Sequence, residues 1–172
     1  MKFLKTGLAL LPYLCLVVAG PVTKRSVSTD LATIATDVQA LDTGVNSWDG
    51  TLAGGVPLIN KLDVLQTDLK TAISDTAAAA AFSASDSTAA TNSIKTLTPL
   101  ITTTVNDFVS KKSKFASAGL TSVVLSSLKT LKGLADQLAT NLEAKVTSGD
   151  VATIKAALVT IDASFDAAIA VF

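Results

Sequence analysis

Leu31, Ile34, Val38, Leu41, Val45 and Trp48 recur at steps of three and four, with mostly polar residues between them. An α-helix turns once in 3.6 residues, so this spacing lays one apolar stripe along a helical face. The signature returns four more times. A second set is Leu58, Leu62, Leu65, Leu69 and Ala72; a third is Ile94, Leu97, Ile101, Thr104 and Phe108, ending near Phe115. A fourth is Val124, Leu128, Leu131, Ala135, Leu138 and Leu142, and the last runs Val151, Ile154, Leu158, Ile161, Phe165, Ala168 and Phe172. No segment of comparable length alternates with period two. The pattern predicts an all-α fold, a single-domain antiparallel bundle of about five helices.

Punctuation residues bound these segments. Asp49-Gly50 and Gly54-Gly55 break the chain after the first helix, and Pro57 suits the first turn of the second. Ser85 or Asp86 is expected to cap the third helix, Thr121 the fourth and Asp150 the fifth, with Gly119 separating the third from the fourth. Residues 75–87 read as a frayed helix end followed by a loop. The third helix carries a conflict, because TLTPLITTTV is rich in β-branched residues and Pro99 removes a hydrogen bond to the carbonyl of Lys95. A lone strand would have no partner, while the apolar stripe continues to Phe108. The expectation is a helix kinked at Pro99, which could hold its neighbours apart.

The chain opens differently from these amphipathic segments. Lys2 and Lys5 precede an almost wholly apolar run from Gly7 to Ala19, too short to cross a bilayer, which needs about 20 apolar residues. This is the layout of a signal peptide over residues 1–19, cleaved after 19 or 20. Residues 20–25 then form a short pro-segment ending in Lys24-Arg25, a pair that resembles the dibasic site of a kexin-type processing protease. The helical domain is expected to span 26–172.

Processing changes the charge. The full chain has 14 basic and 14 acidic residues; losing Lys2, Lys5, Lys24 and Arg25 leaves ten lysines against fourteen acids, a net charge of −4. No basic patch remains to grip phosphates, so nucleic acid is not an expected partner. Cys15 leaves with the signal, so no disulfide can hold the mature domain, which must rest on its core. That suffices at this length, where a domain buries about 68–70% of its unfolded surface. There is no Asn-x-Ser/Thr sequon. The product is expected to be secreted and monomeric, either released or held in the cell wall by contacts.

Catalysis is tested by subtraction. The mature chain lacks His, Cys and Arg, which removes Ser-His and Cys-His nucleophile pairs, arginine clamps and the usual zinc ligands. Ser126 to Lys129 matches an S-x-x-K string without its companion motifs. Asp162 and Asp166 stand one turn apart off the apolar stripe, which reads as a solvated face. Asp42 to Gly50 is rich in Asp, Asn and Gly but lacks calcium-loop spacing. The expectation is no enzyme, no cofactor and no metal.

Binding is different, because its material is the core. Stripes rich in Ala, Val and Thr close with small residues or leave a void. Thr104 lies on a core face, where its hydroxyl either bonds its own helix backbone or meets a ligand head group. Burying about 15 methylenes of a fatty acid gives roughly 12 kcal/mol gross, against association costs of about 4–15 kcal/mol. The apolar lining assigned to such a ligand is Leu62, Leu65, Leu69, Ile101, Thr104, Phe108, Leu128, Leu131, Leu158 and Phe165.

The signal sequence with Lys24-Arg25, the segment SVSTDLATIATDVQALDTGVNSWDG and the later LTSVVLSSLKTLKGLADQLATNL resemble the fungal hydrophobic surface-binding protein A family, which includes cell-wall galactomannoproteins. Trp48 stands where that family commonly has another aromatic. The resemblance implies a small secreted helical protein that adsorbs to hydrophobic surfaces or holds fatty acids in an apolar channel. It also implies association with secreted hydrolases or wall polysaccharide. The alternative is a structural, antigenic wall mannoprotein with a simply packed core and no ligand.

Overall fold

The computed structural model describes residues 24–172. The expected signal peptide, and the pro-segment up to Thr23, lie outside the described residues. The backbone is helical from Lys24, so the expected processing pair sits at the start of the first helix. Six helices follow one another: α1 Lys24–Ser47, α2 Leu52–Ala78, α3 Ala84–Ser110, α4 Lys112–Ser117, α5 Thr121–Glu143 and α6 Ser148–Val171. Five are long, matching the five stripes, and α4 is a single extra turn and a half.

The five long helices form a closed ring. α1 packs on α2 and α3, α3 on α6, α6 on α5, and α5 back on α2. Consecutive long helices alternate in direction. The ring order therefore sets same-direction helices side by side at three seams, α1/α3, α3/α6 and α2/α5. One end of the ring gathers the C-termini of α1, α3 and α6 with the N-termini of α2 and α5, and the other end gathers the reverse.

The stripes face inward. Leu31, Ile34, Val45, Leu62, Ala72, Phe108, Phe115, Val124, Leu128, Leu142, Ile154 and Ala168 are among the buried residues of one continuous core. Ile101, Ala135, Val151, Leu158 and Phe172 are half-buried against it. Polar faces are tied down locally, since helical threonines such as Thr33, Thr67, Thr98 and Thr140 donate to the carbonyl four residues earlier.

Several boundaries differ from the expected ones. The third stripe does not run as one helix to Phe115, because α3 stops at Ser110 and the chain resumes as α4. Leu120 N–H then bonds Phe115 C=O at 2.8 Å and Gly119 N–H bonds Ala116 C=O at 3.1 Å. These two bonds close a Schellman turn, and Gly119 sits at φ +73°, where a Cβ would be strained. Gly54-Gly55 does not break the chain: both lie inside α2, capped by Thr51, whose Oγ1 accepts from Gly54 N–H at 3.0 Å. Pro57 consequently falls in the second turn rather than the first. Gly55 is needed for close approach, since a Cβ there would come within 2.4 Å of Leu120 Cδ1.

The cap of α3 is Ser83 rather than Ser85 or Asp86. Its hydroxyl accepts from Asp86 N–H at 3.3 Å and donates to the Asp86 carboxylate, which fixes the first turn of the helix. Thr147 rather than Asp150 precedes α6, and its hydroxyl donates to Asp150 Oδ2 at 3.1 Å. Thr121 is the first residue of α5 and Leu120 occupies the cap. Residues 75–78 stay helical, and the loop is only 79–83. Pro99 lies inside α3, which continues unbroken past it.

Candidate functional site: an apolar seam through the helical ring

A ring of five helices surrounds an axis, and the side chains that meet there leave two small cavities of about 50 Å³ each. The first is lined by Ile34, Val38 and Leu41 of α1, Leu65 and Leu69 of α2, and Ile101, Thr104, Val105 and Phe108 of α3. Leu128, Leu131 and Ala135 of α5 and Phe165 of α6 complete it. The second is lined by Ile34, Leu69, Ile94, Leu97, Ile101, Ala135, Leu138, Ala139, Leu142, Ile154, Leu158 and Ile161. All five long helices contribute to both. Ile34, Leu69, Ile101 and Ala135 belong to both walls, so four side chains are the partition between them.

Of the ten residues assigned from sequence to an apolar lining, Leu65, Leu69, Ile101, Thr104, Phe108, Leu128, Leu131 and Phe165 meet at the first cavity. Leu158 lines the second. Leu62 is buried in the core but lines neither. The lining also holds Ile34, Val38, Leu41 and Ala135, which sequence reasoning placed on stripes without assigning them to a site. Thr104 Oγ1 donates to Leu100 C=O at 2.9 Å and lies 3.4 Å from Asp42 Oδ1, so its single proton is engaged by its own helix backbone.

The two ends of the seam close differently. At one, Trp48 stacks on Phe115 with centroids 4.4 Å apart, Phe115 stacks on Phe108 at 5.4 Å, and Phe172 tilts against Phe115 at 6.0 Å. Trp48 Nε1 donates to Thr51 C=O at 2.9 Å. At the other, Phe82 N–H bonds Lys145 C=O at 2.8 Å and Lys145 Nζ donates to Ala79 C=O at 2.6 Å. Ser87, fully buried, donates to Asp150 Oδ2 at 2.5 Å and accepts from Thr147 N–H at 2.8 Å. Asn141 Nδ2 reaches Ile73 C=O at 3.1 Å.

Around the outside of the seam, carboxyl groups face one another across helix boundaries. Burial, then Asp68 of α2, pushes Asp37 of α1 up to about 6, with Lys61 opposing. Burial and Asp75 raise Asp30; burial and Asp107 raise Asp42; burial and Asp162 raise Asp136. Asp30 Oδ2, Asp37 Oδ2 and Asp136 Oδ1 are buried without a donor. Each is arranged to share a proton with its neighbour when protonated.

The other singled-out motifs find structural places. Ser126 and Lys129 are both exposed on α5. Asp162 and Asp166 are not simply solvated: Lys132 Nζ bridges them at 3.4 and 3.3 Å across the α5/α6 seam. Asp49 Oδ1 accepts from Thr51 N–H and Oγ1 at 2.8 and 2.9 Å, which uses it to shape the turn into α2. Among the described residues no cluster of acidic, His or Cys side chains is set to hold a metal, and no helix is long and apolar enough to cross a membrane.

The profile of the family described as hydrophobic surface binding protein A matches residues 25–144. The chain belongs to that family. As a member of it, the protein is also similar in structure to AfMP4p, solved in complex with palmitic acid, with a TM-score of 0.85 and 36% identity over 87% of this chain and 99% of that one. Ligand binding domain 1 of the Penicillium marneffei MP1 protein, complexed with arachidonic acids, superposes with a TM-score of 0.80 at 18% identity, covering 86% of this chain and 97% of that one. Domain 2 of the same protein, complexed with multiple arachidonic acids, gives a TM-score of 0.80 at 16% identity, with 86% and 94% covered. These two likenesses show the shared fold. No curated protein sequence matches the chain.

Proposed function

We propose that this is a secreted, non-enzymatic member of the family that binds a single-chain lipid, of the fatty-acid class, between its helices and adsorbs to hydrophobic surfaces. The observation that carries this reading is the seam. Five amphipathic helices close around an axis lined only by apolar groups and the methyl of Thr104, and the packing there is incomplete at two adjoining places. The neighbour solved with palmitic acid supports the ligand class. Leu52 and Val56, 58% and 52% exposed one turn apart on α2, support contact with an apolar surface.

Volume sets the mechanism. A cavity of about 150 Å³ takes one benzene, so a sixteen-carbon chain needs roughly 400 Å³. Two cavities of about 50 Å³ do not hold it. The described form is the closed one, and binding requires Ile34, Leu69 and Ile101 of the partition to turn and the helices to move outward. Pro99, where α3 lacks one backbone bond, gives that helix a place to bend.

The small cavities also favour a second reading, a wall protein with a packed core and no ligand. A titration of the protein with palmitic acid separates the two. Binding predicts saturation near one or a few equivalents, a change in Trp48 emission through the Phe115–Phe108 stack, and a melting temperature about 5–10 °C higher at a hundredfold excess over Kd. No saturation and no thermal shift would leave the packed-core reading standing. Association with hydrolases or wall polysaccharide is the finer expectation, tested by co-precipitation from culture medium and from wall extracts.

A further inference from the structure

Most threonines on these helices turn their hydroxyl back onto the preceding turn. Thr67 and Thr71 do so on α2, and Thr96, Thr98, Thr102 and Thr104 do so on α3. The two most deeply buried do not. Thr76 on α2 and Thr91 on α3 are 0% and 2% exposed, and the Oγ1 of each has no hydrogen-bond partner. An unsatisfied buried hydroxyl costs stability, and the usual remedy of bonding the own backbone is absent at both.

Their positions give the omission a use. Thr76 continues the α2 stripe Leu69–Ala72, and Thr91 stands one turn before Ile94 and two before Leu97 on the α3 stripe. Leu69, Ile94 and Leu97 line the second cavity; Thr76 and Thr91 line neither cavity but continue the same two stripes past these residues, toward the hydrogen-bonded end of the ring. The opposite end offers nothing comparable, since the Trp48 N–H is already bonded. Resting on the lipid-binding reading above, we propose that Thr76 and Thr91 form the polar terminus of the seam. There they hydrogen-bond the uncharged head group of the lipid, the hydroxyl of a protonated carboxylic acid or of a long-chain alcohol, while the alkyl chain runs toward Phe108.

An uncharged head is the one this end accepts. Asp30 and Asp75 face each other across the α1/α2 seam there, and Asp86, Glu143 and Asp150 lie at the same end on α3, α5 and α6. Among the described side chains at this end, Lys145 already donates to Ala79 C=O and Lys155 is paired with Glu143 at 3.8 Å. Neither of these two ammonium groups is free to pair with a buried carboxylate. A neutral hydroxyl both donates and accepts, which suits two threonine oxygens.

The test measures binding of hexadecanol, palmitic acid and hexadecane by displacement of a fluorescent fatty-acid analogue. The wild-type protein is expected to prefer hexadecanol over hexadecane by about tenfold or more, the worth of one or two well-made hydrogen bonds. The Thr76→Val, Thr91→Val double variant keeps the volume, loses both hydroxyls, and is expected to bring that preference close to unity while hexadecane binding is unchanged or tighter. The Thr→Ser pair restores the preference. A preference that persists in the valine variant, or is missing from wild type, overturns the proposal; failure of wild type to bind any of the three ligands sinks the lipid-binding reading instead. Folding is controlled by the thermal melt, in which the valine variant is expected to be at least as stable as wild type.

Discussion

One end of the ring is sealed by rings and the other by hydrogen bonds. Trp48, Phe108, Phe115 and Phe172 close the first by burying area, which favours contact in any geometry that keeps water out. At the second, the loop 79–83 is tied to the α5–α6 connection by Phe82 N–H to Lys145 C=O and Lys145 Nζ to Ala79 C=O, and Ser87 ties α3 to Asp150 of α6. Breaking these bonds exposes groups that water can satisfy, so each costs only about 0.5–1.5 kcal/mol net. Opening the aromatic end exposes large apolar surface. The difference makes the aromatic end the anchor and the hydrogen-bonded end the place where helices part most readily.

The sharpest way to break that contrast is at Phe115, which is fully buried and touches three other aromatics. Phe115→Ala is expected to cost about 3–5 kcal/mol, read as a lower denaturation midpoint in urea at unchanged slope. If Phe115→Ala cost less than 1 kcal/mol, the aromatic end would not be the anchor. Ala135→Leu acts in the middle, on the partition shared by both cavities. The variant is expected to fold, with a stability change under about 2 kcal/mol in either direction, and to bind palmitic acid at least tenfold more weakly. Unchanged affinity would place the ligand elsewhere.

Much of this arrangement is legible in the sequence, for a definite reason. The stripes at steps of three and four identify five helices and most of the cavity lining, because a helix buries whatever its period places on one face. Eight of the ten residues assigned to an apolar lining meet at one cavity. The ring order is not legible, since period says which face is inward and nothing about which helix lies beside it. Helix starts also misled, because Ser83 and Thr147 cap through short loops in which several Ser, Thr and Asp residues compete. Thr76 and Thr91 were missed although they keep the period of their stripes: a threonine on an apolar face reads as polar surface unless the stripe is followed through it. The carboxyl pairs across seams were invisible, because their members are separated by 31 positions in the case of Asp37 and Asp68.

Those pairs sharpen the comparison through pH. Asp37 is raised from 3.8 to about 6 in the folded protein, so between these values the folded state holds a proton that the unfolded chain has released. Stability therefore falls as pH rises through that window and levels off above it; below about 3.8 both states are protonated and the term is constant. Asp30, Asp42 and Asp136 shift the same way and add to the slope. The melting temperature is expected to be higher at pH 4.5 than at pH 7, and Asp37→Asn, which keeps a hydrogen bond to Asp68 without titrating, is expected to flatten the difference. A melting temperature that rises from pH 4.5 to 7 would contradict the assignment. Because α1 carries Asp30, Asp37 and Asp42 on its two seams, it is the helix that neutral pH loosens most.

The smallest effect belongs to the hydrogen-bonded end itself. Lys145 spans the gap between the two connections, its Nζ 2.6 Å from Ala79 C=O. Lys145→Met keeps the apolar stem and removes the donor, so the expected loss is that of one hydrogen bond, about 1 kcal/mol or roughly 2–4 °C. The informative readout is local. Amide hydrogen exchange is expected to quicken at Ala79 and Phe82, whose N–H groups bond Asp75 and Lys145 carbonyls, while amides around Phe108 and Phe115 keep their protection. Exchange that quickened equally at both ends would mean that the ring opens as one unit, and the division between an anchored end and a parting end would have to be given up.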